Sequence, residues 1–566
     1  MIERREFLAY LGATGLGGTA LPGALYALAQ QEQGPVTKEM VAQAEKLAGL
    51  EFTDDEREQI ANSVNGRLRN YEQIRALKLT NAVPPAVQFD PLLPGVKPPA
   101  TERRPIRYTR PRRVRRPVNL EEVAFWPVTR LAELVRTRQV MPSELTQMYL
   151  ARLKRHDRRL FAVVSLTEER AHAQAVQLDA ELRRGRYRGP LHGIPWGAKD
   201  LLATKGYRTT WGASPYREQV LDYDATVVER LDQAGAILIA KLTLGALAQG
   251  DRWFGGMTRN PWNPEQGSSG SSAGPGAATA AGLVGFAIGT ETQGSIVSPA
   301  TRNGVTGLRP TYGRVSRHGA MALSWSMDKI GPMCRSVEDC ALVLHAIHGP
   351  DGRDPTVTDV PFNWDALLPL ASVRTGYFKS AFEQANEQGE RNAFDQAALD
   401  VMRRLVPNLV AVELPSSRDL PISAIGSSIL SVEAAAAFDD LTRSPNDDLM
   451  VPLPERSSWP ATFRAARLVP AVEYINANRA RTLLMQKMHD AMKDVDVLIM
   501  PNTALQLTNL TGHPQIALPA GFNANGTPVT ICFLGQLYAE EKLLRVAQAW
   551  QDATDHHLRY PPEFIS

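Results

Sequence analysis

The chain of 566 residues is 43% hydrophobic and 22% charged, which are ordinary globular values and exclude a wholly disordered protein. Its 63 Lys and Arg against 60 Asp and Glu give a net charge of +3, too small for a general attraction to nucleic acid or to an anionic membrane. The three cysteines include no C-x-x-C pair, which excludes a disulfide framework and a zinc site. A single disulfide between Cys334 and Cys340 is left as an open alternative.

The N-terminus has the features of an export signal. The Arg4-Arg5 pair resembles a twin-arginine signal and precedes an apolar, small-residue run (9–28) that ends on an A-x-A cleavage pattern. Its glycines disfavour a stable helix or a membrane anchor. Residues 1–29 are therefore interpreted as a signal peptide, and we expect an exported, periplasmic or extracellular protein without stable membrane insertion.

Two further segments precede the main body. Residues 30–82 predict a helical extension, with a helix start signal at Thr53-Asp54-Asp55-Glu56. Residues 83–118 are too rich in proline for a helix or a central strand and predict an extended connector. The tract 103–116 holds eight Arg and no acid, so the remaining residues sum to 3 − 8 = −5. We expect the connector to pair with the acidic body, with a polyanion of the cell envelope as the alternative; no nucleic acid partner is expected.

The main body spans residues 119–566. Apolar spacing predicts two early helices, the second beginning at Pro142-Ser143. Strands are then predicted at 161–166, 236–242 and 495–500, and helices at 168–184, 337–345 and 540–553. Alternating strands and helices predict an α/β fold with a mixed, mostly parallel central sheet covered by helices on both faces. Residues 350–480 are interpreted as a variable, mainly helical substrate-side region.

A glycine-rich region at 267–313 contains 11 of the 42 glycines. Such density lets backbone N–H groups point at a ligand. A flexible linker is the alternative, but a helix-permissive stretch (277–281) and an apolar run (283–288) interrupt the region. We therefore expect a functional site here.

Two hydrolase templates match parts of the chain. Residues 270–274 fit G-x-S-x-G with Ser272 central, but a turn-rich segment stands where the nucleophile elbow needs a strand. Ser326 and Lys329 fit S-x-x-K without the companion motifs of that class. Both matches are interpreted as coincidences. Metal-binding signatures are missing from the sequence, and no metal or cofactor is expected.

Lys199 is a candidate base. It ends the segment His192-Gly-Ile-Pro-Trp-Gly-Ala-Lys199-Asp200, among small and apolar residues. Burial of a lysine disfavours its charged form and lowers its pKa. An ordinary surface lysine is the alternative on this segment alone.

Four segments taken together are similar to the amidase signature family. They are HGIPWGAKD (192–200), GSSGSSAGPGAA (267–278), GTETQGSIVSPATRNGVTGLRPTYGRVSRHG (289–319) and SMDKIGPMCRSVEDC (326–340). The resemblance runs from about Leu131 to about Pro561 and thins between 350 and 480. It implies the amidase signature fold and no cofactor.

The resemblance also implies a Ser-cisSer-Lys triad. Lys199 takes the position of the family's base, Ser295 that of the nucleophile, and Ser271 that of the bridging serine beside a cis peptide bond. Ser271 passes a proton from Ser295 to neutral Lys199, so activity should fall at acid pH. The implied oxyanion hole consists of the backbone N–H groups of Thr292, Gln293, Gly294 and Ser295.

Departures from the family pattern bear on the acyl pocket. Gln293 stands where Gly is common, Pro275 replaces a Ser, and the segment between Pro501 and Gly512 is short. The selecting residues are expected in 350–480 and around four aromatic residues that could equally belong to the core: Trp211, Trp253, Phe254 and Trp325.

These observations predict an exported amidase that hydrolyses a small or peptidic carboxamide, with esters and carbamates as open substrate classes. The alternative is the glutaminase A-type subunit of a tRNA-dependent amidotransferase, which works with partner subunits in the cytoplasm. The export signal favours the first. A non-catalytic binding protein is disfavoured because all three triad residues are retained, and a homodimer is left open.

Overall fold

The structure, a computed structural model, describes residues 35–48, 50–384, 390–450, 459–501 and 504–565. The predicted signal peptide, 1–29, lies outside the described residues. The chain divides into two units, one of residues up to Thr80 with Leu468–Pro470, the other of Asn81–Arg467 and Ala471–Ser566.

The first unit is a helical hairpin. It contains helices α1 (Lys38–Ala48) and α2 (Asp54–Arg75). The predicted start signal is confirmed, because the Thr53 N–H donates to Glu56 Oε2 (2.7 Å) and the Glu56 N–H donates to Thr53 Oγ1 (3.4 Å). Arg57 Nη2 donates to Glu45 Oε1 (2.6 Å) and joins the two helices.

The second unit carries the remaining α-helices. In chain order they are α3 (Val128–Arg136), α4 (Pro142–Leu160), α5 (Glu168–Arg183), α6 (Thr226–Ala234), α7 (Ala273–Ala280), α8 (Val297–Asn303), α9 (Val337–Ile347), α10 (Lys379–Gln384), α11 (Glu390–Leu405), α12 (Ile422–Ala437), α13 (Asp439–Thr442), α14 (Trp459–Ala466), α15 (Ala471–Met492), α16 (Leu505–Thr511) and α17 (Glu540–Asp552).

The strands also belong to the second unit. They are β1 (Val163–Leu166), β2 (Pro195–Lys199), β3 (Ile237–Leu242), β4 (Arg252–Trp253), β5 (Gly256–Met257), β6 (Arg259–Asn260), β7 (Asn263–Gly267), β8 (Phe286–Glu291), β9 (Thr306–Arg309), β10 (Lys329–Cys334), β11 (Thr375–Phe378), β12 (Val410–Val412), β13 (Val497–Met500), β14 (Gln515–Phe522) and β15 (Pro528–Gly535).

Eleven of the described strands form one sheet flanked by helices, in the order β1-β3-β2-β8-β10-β9-β14-β15-β13-β11-β12. The predicted mixed sheet is confirmed. The expectation that it is mostly parallel was wrong, since four neighbouring pairs in this sheet are parallel and six are antiparallel. A short connection explains one of the antiparallel pairs: only residues 523–527 join β14 to β15, which forces antiparallel pairing, whereas parallel strands need a long crossover.

The predicted buried strands are present, with ends shifted by one or two residues. Every residue of β3 and β13 is buried. Helices α9 and α17 match their predicted ranges closely. The region 350–480 is mainly helical as expected, but it also supplies β11 and β12, two edge strands that the sequence analysis missed.

Residues 83–118, called the strap below, contain no helix or strand beyond a single parallel bridge between Arg107 and Asp365. The Arg107 N–H donates to the carbonyl of Trp364 (2.8 Å), and the Thr109 N–H donates to Glu338 Oε1 (2.8 Å). Backbone contacts therefore hold the strap on the body.

The three cysteines are buried, and no disulfide bridge joins Cys334 to Cys340. Within the described ranges, no group of three or more His, Cys, Asp or Glu could hold a metal ion. None of the helices in that part of the chain is long and apolar enough to cross a bilayer.

Candidate active site

Lys199 lies at the end of β2, a wholly buried strand between β3 and β8. Its side chain is fully buried, and its amine donates to Ser271 Oγ (2.8 Å), Thr290 Oγ1 (2.9 Å) and Ser272 Oγ (3.1 Å). Burial lowers the pKa of Lys199 to about 7, and the more distant carboxylates of Asp328 and Glu291 oppose that shift. The amine is therefore surrounded by hydroxyls and is substantially neutral near pH 7.

Ser271 follows a cis peptide bond, Gly270–Ser271, as the resemblance implies. The backbone at Gly270 approaches another loop so closely that an added Cβ would lie 1.8 Å from the carbonyl oxygen of Gly250. Only glycine fits there, which explains this glycine in the motif. Ser271 is itself buried, with its hydroxyl against the amine of Lys199.

Ser295 lies on the turn between β8 and α8 and is half-buried. The Ser272 N–H donates to the carbonyl of Ser295 (3.2 Å), which joins this turn to the segment that carries Ser271. In the described structure the Ser295 hydroxyl is not hydrogen-bonded to Ser271. Catalytic hydrogen bonds commonly tighten only in the substrate complex, so this geometry is compatible with the implied relay.

The turn before Ser295 offers free donors. Among the described residues, the four N–H groups from Thr292 to Ser295 donate to no backbone carbonyl and to no side chain. The next two N–H groups, of Ile296 and Val297, are both taken by Glu291 Oε2 (2.8 and 2.9 Å). Gly294 has φ +92°, a left-handed conformation that favours glycine. The available donors are thus those that the resemblance assigned to the oxyanion hole.

A buried ion pair holds this turn in place. Arg309 Nη1 donates to Glu291 Oε1 (2.7 Å), and both side chains are fully buried. Asn509 Nδ2 donates to the same oxygen (2.8 Å). Although burial alone would raise the pKa of Glu291, the Arg309 guanidinium and the Val297 N–H lower it to about 2. The sequence analysis missed Glu291 and Arg309, because their pairing depends on the sheet register.

Asp328 fixes the other end of the turn. Thr292 Oγ1 donates to Asp328 Oδ1 (2.6 Å), while the N–H groups of Leu323 and Ser324 donate to Oδ2 (2.8 and 2.9 Å). Burial raises the pKa of Asp328, and these hydrogen bonds favour its ionised form. The role of Asp328 was not predicted from the sequence either, although Asp328 lies inside the family-like segment 326–340.

The region 350–480 contacts the same loop. Glu433, on α12, accepts hydrogen bonds from the hydroxyls of Ser324 (2.6 Å) and Ser326 (2.7 Å). The hydroxyl of Tyr474, on α15, also donates to Glu433 (3.0 Å). The region 350–480 is therefore tied to the loop that positions Asp328 and, through it, the turn at Thr292.

A family model described as Amidase matches residues 144–508. The chain belongs to the amidase signature family. It is 36% identical to the A-type subunit of the glutamyl-tRNA(Gln) amidotransferase of Methylococcus capsulatus, over 76% of this chain and 98% of the relative. It is 34% identical to the putative amidase AmiD of Mycobacterium tuberculosis, over 79% and 98%. The native peptide amidase of Stenotrophomonas maltophilia has a similar structure, with a TM-score of 0.69, 31% identity and coverage of 79% and 100%.

These comparisons establish a carbon–nitrogen hydrolase of the serine amidohydrolase type. In this amidase the G-x-S-x-G match is not a nucleophile elbow. Ser272 is buried, and its hydroxyl donates to the Thr290 carbonyl (3.1 Å) and accepts from the Thr290 N–H (3.1 Å) and from Lys199. Ser272 therefore supports the base.

The S-x-x-K match in the amidase is a coincidence too. The Ser326 hydroxyl is engaged with Glu433, whereas the buried Lys329 donates to the carbonyl of Met327. The two side chains form no dyad.

Of the four aromatic residues expected near the pocket of the amidase, two are buried in its core and two, Phe254 and Trp325, are half-buried. Trp211 and Trp253 are buried, and Trp211 contacts Tyr216 with ring centroids 4.5 Å apart. Nearer the turn, Leu505 Cδ1 lies 3.2 Å from where a Cβ on Gly294 would stand. The short segment after Pro501 thus packs α16 directly against the nucleophile turn, while Gln293 is half-exposed beside it.

Proposed function

We propose that this amidase is an exported serine amidohydrolase that cleaves a small or peptidic carboxamide through an acyl-enzyme on Ser295. The observation that carries the proposal is the environment of Lys199. A buried amine with hydroxyl partners and a pKa of about 7 is suited to accept a proton through Ser271.

The chemistry follows from this arrangement. Ser271 takes the proton of the Ser295 hydroxyl and gives its own to Lys199, while Ser295 Oγ attacks the amide carbon. The free N–H groups of the turn receive the oxyanion, where one such donor contributes about 3–4 kcal/mol. Lys199 then returns the proton through Ser271 to the leaving amine, and water hydrolyses the acyl-enzyme by the same relay.

The proposed substrate class rests on the similarity to amidases and on the position of Gln293 beside the turn 292–295. The peptide amidase of Stenotrophomonas maltophilia and the putative amidase AmiD both support a carboxamide substrate. The half-exposed Gln293 beside the turn offers an amide group that could hydrogen-bond a polar or peptidic acyl portion. Esters and carbamates are further substrates for the same acyl-enzyme chemistry.

A second candidate function is supported by the amidotransferase relatives of the A type, which are up to 36% identical. In that case the chain would hydrolyse glutamine within a complex. The two functions differ in their dependence on partners and in their location in the cell.

Active-site labelling tests the first proposal. We expect a sulfonyl fluoride or phosphonate probe to label the purified chain, and Ser295→Ala to abolish that labelling. Ser298→Ala, a half-buried serine three residues further on, is the matched control and should label normally. Labelling that survives in Ser295→Ala would contradict the acyl-enzyme assignment.

A substrate panel separates the two functions. The proposal expects the isolated chain to hydrolyse peptide amides or small carboxamides without partners. Hydrolysis restricted to glutamine and dependent on the other components of an amidotransferase would support the second candidate instead.

Export is tested separately by location. We expect the mature protein outside the cytoplasm, beginning near Gln30, and its retention inside the cell when Arg4 and Arg5 are both replaced by Lys. A full-length cytoplasmic chain unaffected by these replacements would overturn the export proposal but not the chemistry.

A further inference from the structure

The eight arginines of the tract 103–116 fall into three groups. Three pair with acids of the body: Arg103 with Asp359 (2.7 Å), Arg107 with Asp365 (3.0 Å) and Arg116 with Glu144 (2.7 Å). Arg110 lies over the ring of Tyr108. Among the described residues, Arg104, Arg112, Arg113 and Arg115 have no acidic partner within ion-pair distance, and all four are exposed.

The strap directs its unpaired arginines outward. Val114 is buried, whereas its neighbours Arg113 and Arg115 are exposed. The chain bends at Arg112 and Arg113, and Arg113 has a left-handed φ of +58°. Pro111 and Pro117 bracket this stretch and restrict its backbone. The buried Val114 between them thus anchors the strap and keeps Arg113 and Arg115 at the surface.

A neighbouring loop adds one more charge. Gln139 Nε2 donates to the Val114 carbonyl (2.9 Å), and the Arg116 N–H donates to Gln139 Oε1 (3.0 Å). This docks the loop that carries the exposed Arg138 beside the strap. We call the set Arg112, Arg113, Arg115 and Arg138 the basic face.

Nearby acids do not neutralise the basic face. Glu133 is held by Arg136 (2.6 Å), and Glu144 is held by Arg116. The basic face therefore keeps a positive excess, although the whole chain is nearly neutral.

Exposed apolar groups also lie on the strap and beside its earlier residues. Val118, two residues beyond the tract, is fully exposed. Leu367 is 69% exposed and borders a groove of about 370 Å³ that is also lined by Ile106 and Arg110. Arginine next to exposed aliphatic side chains suits the headgroup region of a bilayer, where charge meets phosphate and the apolar groups meet the acyl boundary. Binding of single-stranded nucleic acid would instead favour exposed aromatic rings, and Tyr108 is half-buried.

We propose that the basic face docks the amidase on the surface of a bilayer with anionic headgroups. The association is peripheral and electrostatic, so it weakens as salt rises. It leaves the catalytic residues unchanged and is independent of the substrate assigned above.

The test uses the full chain and vesicles of phosphatidylcholine with one third phosphatidylglycerol. We expect binding at low salt, loss of binding at high salt, and little binding to phosphatidylcholine alone. The triple variant Arg112→Gln/Arg113→Gln/Arg115→Gln should bind about 100-fold more weakly, at about fivefold per arginine. Its hydrolysis of a soluble substrate should be unchanged.

The matched control is Arg103→Gln/Arg107→Gln/Arg403→Gln, which removes the same charge from positions paired with Asp359, Asp365 and Asp400 and should bind within a few-fold of wild type. Arg138→Gln, outside the strap, should lose about fivefold. The proposal is overturned if wild type shows no preference for phosphatidylglycerol, if both triples weaken binding equally while Arg138→Gln has no effect, or if the chain retains duplex DNA but not vesicles at the same salt.

Discussion

Two buried lysines on adjacent strands differ in their partners, and the difference bears on which of them is suited to catalysis. Lys199 on β2 and Lys241 on β3 are both fully buried, and burial lowers the pKa of each. Lys241 meets a carboxylate, Asp200 Oδ1, at 2.8 Å. Lys199 meets only hydroxyls and one carbonyl at such distances. The Asp200 carboxylate opposes the lowering of the Lys241 pKa at contact distance, whereas Lys199 has no carboxylate so close and its pKa falls to about 7, which suits a base.

The largest expected effect is on activity when Lys199 is replaced. Lys199→Met should lower kcat/KM by about 10³–10⁴-fold, because it removes the proton acceptor of the relay. The measurement is hydrolysis of a carboxamide or aryl ester by the purified variant. Lys241→Met, assayed at a temperature where it is folded, should retain most of the wild-type activity; equal losses would contradict the comparison.

Replacing Lys241, in contrast, should affect stability more than activity. Lys241→Met should lower the free energy of unfolding by about 3–5 kcal/mol, because it leaves Asp200 buried without its counter-ion. Denaturant unfolding measures this. The double variant Lys241→Met/Asp200→Leu should recover much of the loss, and a single variant as stable as wild type would sink the prediction.

Lys199→Met should raise the stability at neutral pH. The pKa of Lys199 is lower in the folded chain than in the unfolded chain, so the unfolded chain binds more protons between about pH 7 and 10.5. Burying Lys199 therefore costs stability, and the cost falls as pH rises through that window. Thermal unfolding at pH 7 and pH 10 should show the gain of the variant shrinking at the higher pH.

Replacements of Thr292 and Asp328 should have smaller effects on activity, and the two should differ in pH dependence. Thr292→Val should lower kcat by about 10-fold, because it frees one end of the turn 292–295 that is assigned to the oxyanion hole. It should not shift the pH dependence of kcat/KM. Asp328→Asn should lower kcat similarly and also shift the acid limb of kcat/KM to lower pH, because the Asp328 charge raises the pKa of Lys199. Glu291, the other acid that acts on Lys199, is unchanged in both variants. Identical pH profiles of kcat/KM in the two variants would show that the Asp328 charge does not act on Lys199.

Much of the site could be predicted from contiguous motifs. Lys199, Ser271 and Ser295 stand in short segments whose residue order carries the information, and the structure brings Lys199 and Ser271 into contact. Glu291 and Arg309 could not be paired in the same way. They come together only because β8, β10 and β9 lie side by side, and that register is not written in either segment.

In the fold too, the positions of strands could be predicted from the sequence but their pairing could not. Apolar runs located β3 and β13, because full burial of a strand requires continuous apolar residues. Such runs carry no information on the direction of the neighbouring strand, so the number of antiparallel pairs was underestimated. The short strand β12 escaped prediction because two of its three residues are exposed at the sheet edge.

The most direct test of the account is the pH dependence of Ser295 labelling by a sulfonyl fluoride, which needs no substrate-specific contacts. The account predicts that the rate falls about tenfold per pH unit below about pH 7, as Lys199 becomes protonated, and levels off above it. Folding across the range is checked by circular dichroism. A labelling rate that stays flat between about pH 5 and 9 in the folded protein would contradict Lys199 as the base.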